Sequence, residues 1–247
     1  MSVTPELHGN WRVFRHAAID STNLEALRLA RREALAWTAV RADTQTGGRG
    51  RLGRSWSDSP GGSLLLTALV DHPRGLEALL GPAMALACAE ALEAMGTPQI
   101  AVKWPNDLLL DWRKIAGVLT EGPVEGLFAV GIGVNANGHT EDLPEELRSR
   151  ATFISEHLDR EVDLDLLAAG LLERFEHYHH ALLAGTPAPV VEALRARNCL
   201  QGRAVTARSG DRTIEGVAEG WTDEGRLAII DRVGNRVVLD AGEVTLS

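Results

Sequence analysis

A loop that crowds arginines among glycines is the part of this sequence best suited to chemistry. Residues 47–56 read GGRGRLGRSW and place Arg49, Arg51 and Arg54 within six positions. Guanidinium groups offer forked donors that match carboxylates and phosphates, and glycine lets backbone N–H groups approach such a ligand closely. We therefore predict a loop that orders around an anionic ligand. A surface loop with solvated arginines is the alternative that needs no function.

The same residues contain a G-x-G-x-x-G string at Gly48, Gly50 and Gly53, which is typical of a dinucleotide-binding turn. That motif needs a helix that begins at the glycines, because the helix N-terminus holds the pyrophosphate. The residues after Gly53 read RSWSDSPGGSLLLTALV, which predicts a loop and then a strand. The sequence therefore disfavours a Rossmann turn.

A second group of polar residues interrupts apolar strands in VKWPNDLLLDWRKIAGVLTEG, residues 102–122. It contains Lys103, Asn106, Asp107 and Lys114, and its Pro-Asn pair predicts a tight turn. A hairpin with a polar tip would explain the pattern without any function. Alternatively, a lysine here could neutralise a carboxylate or phosphate, and the aspartate could hold the Mg²⁺ that accompanies ATP.

Two shorter strings and a histidine cluster are further candidates for ligand or metal binding. DSTN, residues 20–23, precedes a helical pattern in which Thr22 and Glu25 fit a capping box. GIGVNAN, residues 131–137, places small residues on a strand, where a ligand can approach closely. The histidines of EHYHH, residues 176–180, lack an acidic partner at a known metal spacing, so we expect a solvated helix face.

The wider pattern predicts a helix-and-sheet domain followed by a small all-β module. Helical spacing and apolar runs of strand length predict helices over 22–35, 76–96, 163–185 and 189–198, and strands over 37–42, 63–70, 100–104, 107–111, 114–122 and 127–135. From about residue 200, short alternating segments are separated by SGD, DEG and VGN turns, which indicates a small β-barrel. We therefore predict one domain over 1–198 and a second over 199–247.

Composition and charge limit the class of protein. The 247 residues are 45% hydrophobic and 24% charged, with a net charge of -9. An acidic chain is a poor general binder of nucleic acid or anionic membranes, so the arginine loop suits a small anion better. Two cysteines without a pairing pattern, no apolar run of membrane-spanning length and no signal sequence predict a cytoplasmic protein.

Four strings occur in the order DSTN, QTGGRGRLGRSW, VKWPNDLLLDWRKIAGVLTEG and GIGVNAN, before a β-module that ends AGEVTLS. This arrangement resembles the biotin protein ligases from about residue 12 to the end of the chain. The resemblance implies an α+β fold in which helices back a mixed β-sheet, as in class II synthetases, with a C-terminal SH3-like β-barrel. It implies that biotin and ATP form biotinyl-5′-AMP, which then modifies a lysine of the biotin carboxyl carrier protein of acetyl-CoA carboxylase.

The resemblance also implies roles for individual residues. The biotin site would comprise Ser21, Thr22, Gln45, Gly48, Arg49, Arg51, Lys114, Gly117 and Gly131. The ATP site would comprise Arg54, Trp56, Lys103, Asn106 and Asn135, with Asp107 as a ligand of Mg²⁺. The catalytic residues would be Lys114, Arg49, Arg51 and Asp107, of which Lys114 would matter most.

Some ligases of this kind carry an N-terminal helix-turn-helix domain and repress transcription. Only about 20 residues precede DSTN, so we expect a ligase that does not bind DNA. A homodimer formed through sheet edges is a further expectation. A lipoate–protein ligase, a non-catalytic biotin- or nucleotide-binding regulator and a DNA-binding repressor are the alternatives, and the net charge of -9 disfavours the last.

Overall fold

A large mixed sheet with helices on both faces dominates the computed structural model, which describes residues 5–33, 35–59 and 61–246. Its strands are β1 (Glu6–His8), β2 (Trp11–Ile19), β3 (Thr38–Gln45), β4 (Ser63–Asp71), β5 (Ala101–Lys103), β6 (Asp107–Leu110), β7 (Arg113–Val124) and β8 (Leu127–Asn135). Their order is β1-β2-β3-β4-β8-β7-β6-β5. The hairpins expected between residues 100 and 135 are therefore confirmed.

The helices are α1 (Thr22–Glu33), α2 (Leu80–Ala94), α3 (Glu145–Arg148), α4 (Ile154–Leu158), α5 (Leu164–Leu183) and α6 (Ala188–Ala196). Strands β2 and β3 run parallel, and helix α1 forms the crossover between them. A tight turn cannot join two parallel strands. The sequence analysis missed β2 and its parallel pairing. Every other ladder described in this sheet is antiparallel.

The capping box expected at the start of α1 was wrong. The backbone N–H and the hydroxyl of Thr22 both donate to Gln45 Oε1, at 2.7 and 3.1 Å. The carboxylate of Glu25 instead accepts a hydrogen bond from Arg28 at 3.1 Å. A side chain from the end of β3 therefore takes the place that a local cap would have filled.

The two faces of the sheet have different coverings. Helices α2 and α5 pack on one face and bury the alternate residues Val130, Ile132 and Val134 of β8. Helix α1 packs on the opposite face, over Ala129 and the other residues of a smaller apolar cluster. Gly131 continues this second face under Asn23 at the start of α1, and Gly133 lies further along it, under Trp56.

The C-terminal module contains β9 (Ala204–Ser209), β10 (Arg212–Trp221), β11 (Leu227–Asp231), β12 (Arg236–Leu239) and β13 (Glu243–Leu246). They form an antiparallel sheet of order β12-β11-β10-β9-β13, and no ladder in the described part of the chain closes β12 onto β13. The sequence correctly predicted a small all-β module here. The boundary between residues 198 and 199 stays a prediction.

The module and the main domain share one apolar core. Trp221 of the module belongs to the same buried cluster as the apolar residues of α2. Trp104 Nε1 donates to the carbonyl of Gly225 at 3.3 Å, and a Cβ at Gly225 would lie 2.6 Å from Leu79 Cδ2. The two sheets therefore pack closely. Across residues 5–33, 35–59 and 61–246, no helix combines the length and apolar character needed to cross a membrane.

Candidate active site

A strip of glycines forms the floor of the candidate site. Gly117 of β7 and Gly133 of β8 lie opposite each other in the ladder that joins these strands. A Cβ at Gly133 would lie 2.4 Å from Trp56 Cε2, and a Cβ at Gly117 would lie 2.8 Å from Lys114 Nζ. Because larger residues would collide with these side chains, the glycines let an indole and an ammonium group lie directly against the sheet.

Trp56 follows the arginine loop and covers this floor. Its Nε1 is buried and has no hydrogen-bond acceptor among the described residues. Buried indole N–H groups normally find a partner, so a ligand with an acceptor at this point would supply one. Lys114 Nζ lies 5.7 Å from the ring centroid, within the range of a cation–π contact.

Lys114 lies where the pairing of β6 with β7 shifts register. The ladder is interrupted between Leu108 and Leu109, and Leu109 pairs with Lys114. Such bulges redirect side chains, and here the lysine lies over the glycine floor. Its Nζ is 2.6 Å from Asp107 Oδ1, while Lys103 lies opposite Asp107 in the β5–β6 hairpin. The structure thus places Lys103 opposite Asp107 and Lys114 in contact with it, while their roles in the reaction stay predictions.

The arginine loop folds back on itself. Gly50 N donates to the Arg54 carbonyl at 2.7 Å, and Trp56 N donates to the Gly48 carbonyl at 3.0 Å. A Cβ at Gly48 would lie 2.5 Å from the Trp56 carbonyl oxygen, so this close return requires glycine. After the loop the chain enters β4, antiparallel to β3, which confirms that no dinucleotide-binding helix begins here.

The first two arginines of the loop contact the strands around the floor. Arg49 Nη1 lies 2.9 Å from Glu121 Oε1, near the end of β7. Arg51 Nη1 donates to Asn106 Oδ1 at 3.1 Å, at the turn before β6. The guanidinium groups therefore border the glycine strip from two directions.

The loop also contacts the C-terminal module. Arg51 Nη2 donates to the Gly242 carbonyl at 3.1 Å, and Arg54 forms an ion pair with Glu243 at the start of β13. Burial lowers the pKa of Arg51, although Asp107 and Glu243 act in the opposite direction. Arginine has so high an intrinsic pKa that it stays charged. The module thus supplies part of the loop's support.

A cluster of buried hydroxyl and amide groups, joined to the carboxylate of Glu121, lies next to the floor at the start of α1. Thr67 of β4 is 2.9 Å from the Thr22 hydroxyl and 2.7 Å from Asn23 Oδ1. Asn23 Nδ2 donates to Glu121 Oε2 at 2.9 Å. A Cβ at Gly131 would lie 1.8 Å from Asn23 Oδ1, so glycine is required where the helix meets the sheet.

This cluster contains three residues that the sequence analysis missed. Thr67 is the single polar residue within the apolar run of β4, and that isolation was a usable signal. Asn23 belongs to the DSTN string, but it was not among the residues expected in the site. Glu121 gave no local signal, because its partner Arg49 is 72 positions away. Ser21, Thr22, Gln45 and Gly131, which were expected on the biotin side, do lie in or beside this cluster.

Two expected nucleotide residues use their amides within the fold. Asn106 Nδ2 donates to the Val118 carbonyl at 2.6 Å, and Asn135 Nδ2 donates to the Thr152 carbonyl at 3.3 Å. Both residues border the floor, and their role in ATP binding stays a prediction. Asp107 is engaged by an ammonium group, and the described residues contain no group of three metal-ligating side chains. The role of Asp107 as a ligand of Mg²⁺ stays a prediction.

Comparisons with known proteins identify the class. Residues 17–137 match the model of the Biotin/lipoate A/B protein ligase family, and residues 201–247 match the Biotin protein ligase C terminal domain. The chain is 37% identical over 243 residues to a biotin–[acetyl-CoA-carboxylase] ligase of Paracoccus denitrificans, covering 92% of this chain and 98% of that protein. The chain belongs to the biotin protein ligase family.

Other relatives agree with this assignment. The bifunctional ligase/repressor BirA of Bacillus spizizenii is 31% identical over 229 residues, which are 90% of this chain and 70% of that protein. The structure of the Aquifex aeolicus biotin protein ligase in complex with biotin and ATP superposes with a TM-score of 0.84 at 28% identity. That match covers 95% of this chain and 99% of the other.

Proposed function

We propose that this chain condenses biotin with ATP and transfers the biotinyl group to a lysine of the biotin carboxyl carrier protein of acetyl-CoA carboxylase. The observation that carries the proposal is the glycine floor on which Trp56 and Lys114 lie, bordered by Arg49, Arg51 and Arg54. It offers a flat apolar surface for rings beside several cations for a carboxylate and phosphates.

In the first step, a biotin carboxylate oxygen attacks the α-phosphorus of ATP, a P–O bond forms, and pyrophosphate leaves. Negative charge builds up on the oxygens around phosphorus, where fixed cations stabilise it. We assign this role to Lys114 and the loop arginines, with Arg54 towards the pyrophosphate. The chain supplies orientation and charge rather than a nucleophile.

In the second step, the neutral amine of the carrier lysine attacks the carbonyl carbon of the mixed anhydride. An amide forms, AMP leaves, and the amine loses a proton. Lys114, beside the former carboxylate oxygen, would stabilise the charge that develops on the carbonyl and on the leaving phosphate. The ammonium group of Lys114, whose Nζ lies 2.6 Å from Asp107 Oδ1, supplies the positive charge that this role needs.

The remaining assignments follow from position. The hydroxyl and amide groups of Ser21, Thr22 and Gln45, with Gly131 beside them, suit a ring system with amide-like donors and acceptors, and we assign them to the biotin head group. Trp56, Asn106 and Asn135, together with Lys103, are assigned to the nucleotide side. Magnesium would arrive on ATP, with Asp107 as a protein ligand. A cytoplasmic location, a homodimer and the lack of DNA binding stay predictions.

The first test is biotin-dependent exchange of pyrophosphate into ATP, with lipoate in a parallel reaction. We expect exchange with biotin and none with lipoate, followed by labelling of an acceptor carrier domain. Exchange with lipoate alone would place the chain with lipoate ligases. Biotin binding without exchange would identify a binding protein and contradict the proposal.

A further inference from the structure

The backbone of Lys114 is held by a segment from outside the sheet. Strand β8 ends at Asn135, and its last pair beside the lysine is Val134 with Ala116. The chain then returns, and Lys114 N donates to the Arg150 carbonyl at 2.7 Å while Thr152 N donates to the Lys114 carbonyl at 3.1 Å. The N–H and the carbonyl of Lys114 therefore both form hydrogen bonds with residues 150–152.

One carboxylate joins the two ends of this returning segment. Glu156 Oε1 accepts a hydrogen bond from Thr140 N at 2.9 Å, and Oε2 accepts one from the Thr152 hydroxyl at 2.9 Å. The Thr140 hydroxyl also donates to Glu156, and Phe153 N lies 3.5 Å from Oε2. Burial raises the pKa of Glu156, but these hydrogen bonds outweigh it and lower the pKa to about 2. The carboxylate is therefore charged throughout the neutral range.

The hydrogen bonds of Glu156 connect through Thr152 to Lys114. Thr152 is fully buried, its hydroxyl binds Glu156, and its N–H binds the Lys114 carbonyl. Without Glu156, the amide of Thr140 loses its acceptor and the hydroxyl of Thr152 keeps only a longer contact with His157 Nε2 at 3.4 Å, which favours opening of the segment. Opening would free the backbone of Lys114 next to the bulge that directs its side chain.

We propose that Glu156 is a positioning residue that fixes Lys114 over the glycine floor by closing residues 140–152 against β7. The inference rests on the proposed role of Lys114 in both steps of the reaction. Glu156 acts through Thr152, so its loss should affect turnover more than the binding of biotin. Thr152→Ser keeps the hydroxyl that binds Glu156 and should preserve this hydrogen bond. Thr152→Val removes the hydroxyl with little change in the shape of the side chain.

The test combines amide hydrogen exchange with steady-state pyrophosphate exchange on the full chain. We expect Glu156→Ala and Thr152→Val to speed exchange at the Lys114 and Thr152 amides by about tenfold or more. The kcat should fall by about tenfold, with the KM for biotin changed by less than about threefold. Thr152→Ser should behave like the unmodified chain, as should Glu161→Ala, an exposed glutamate five residues beyond Glu156.

Three outcomes would overturn the inference. These are unchanged protection of the Lys114 amide in Glu156→Ala, faster amide exchange with an unchanged kcat, and a Thr152→Ser variant as impaired as Thr152→Val. If Glu156→Ala does not fold, the Thr152 pair carries the same comparison. The activity of a separate Lys114→Ala variant tests the proposed role of the lysine itself. Full activity of that variant would contradict this role and not the contacts of Glu156.

Discussion

At the scale of single residues, Lys114 is the group whose loss should be most costly. We expect Lys114→Ala to lower the kcat of biotin-dependent pyrophosphate exchange by about 100-fold to 1,000-fold, because a fixed charge beside the developing anion disappears. Arg148→Ala, which removes an exposed cation whose Nε donates to the Leu143 carbonyl, is the control and should keep full activity. Retention of most activity by Lys114→Ala would refute the assignment.

The glycine floor makes a second prediction at this scale. In Gly133→Ala the new methyl group would collide with the Trp56 ring, which must leave the floor. We expect at least a tenfold loss of biotin affinity by titration calorimetry, which is about 1.4 kcal/mol. Gly47→Ala is the matched control, because its Cβ would lie 3.4 Å from the Asp20 carbonyl, an ordinary contact. Equal affinities in the two variants would contradict the role of Trp56.

Residue types alone predicted the cations but not their partners. The arginine loop, Asp107 and Lys114 stood out because charged residues and glycines interrupt apolar strands. Glu121 and Glu243 are distant in sequence, and only the folded chain places them beside the loop. Similarly, the spacing of Thr22 and Glu25 predicted a capping box. The N–H and the hydroxyl of Thr22 instead donate to Gln45 at the end of β3. Local patterns describe what a side chain can do, while tertiary contacts decide what it does.

At the scale of elements, the arginine loop is held by Glu121 and Glu243. Surface ion pairs contribute at most about 1 kcal/mol each, so Glu243→Ala should barely change the free energy of unfolding. Glu121→Ala also removes an acceptor of the buried Asn23 side chain and should cost more. Both substitutions should loosen the loop, and trypsin should cut at its arginines faster. Biotin with ATP should restore protection. Glu215→Ala, which removes a similar pair with Arg232, is the control, and equal cleavage in all three variants would count against the anchoring.

The elements themselves were largely predictable. Helices α2, α5 and α6 follow from their helical periodicity, and the hairpins β5–β8 follow from turn residues between strands that pair with their neighbours in sequence. Strand β2 was missed because only Trp11 and Val13 are buried in WRVFRHAAI, and the rest of the strand lacks a clear alternation. Its pairing with β3 depends on α1 crossing over the sheet, which no local pattern encodes.

At the scale of the whole molecule, His179 links stability to pH. The expectation of a solvated face was wrong for this residue, which is fully buried beside Phe175 and Trp37. Its Nε2–H donates to the Asp71 carbonyl at 2.9 Å, and burial lowers its pKa. The unfolded chain therefore takes up a proton near pH 6.5 that the folded chain resists.

Stability should consequently fall as the pH drops below about 6.5, by up to about 1.4 kcal/mol per pH unit for this one proton. Urea unfolding at pH 7.5, 6 and 5 measures the effect. His179→Gln should flatten the dependence in this window, whereas His177→Gln, at an exposed position of the same helix, should leave it unchanged. A dependence that survives in His179→Gln would assign it to another group.

Three cations around the floor already hold a carboxylate of the chain: Lys114 with Asp107, Arg49 with Glu121, and Arg54 with Glu243. An incoming anion therefore exchanges with a built-in counter-ion instead of neutralising a bare charge. Each exchange leaves a carboxylate free at the rim of a site that now contains a polyanion. If ATP binds at this site as proposed, we expect that negative rim to penalise uncomplexed ATP and to favour a nucleotide that brings its own divalent cation.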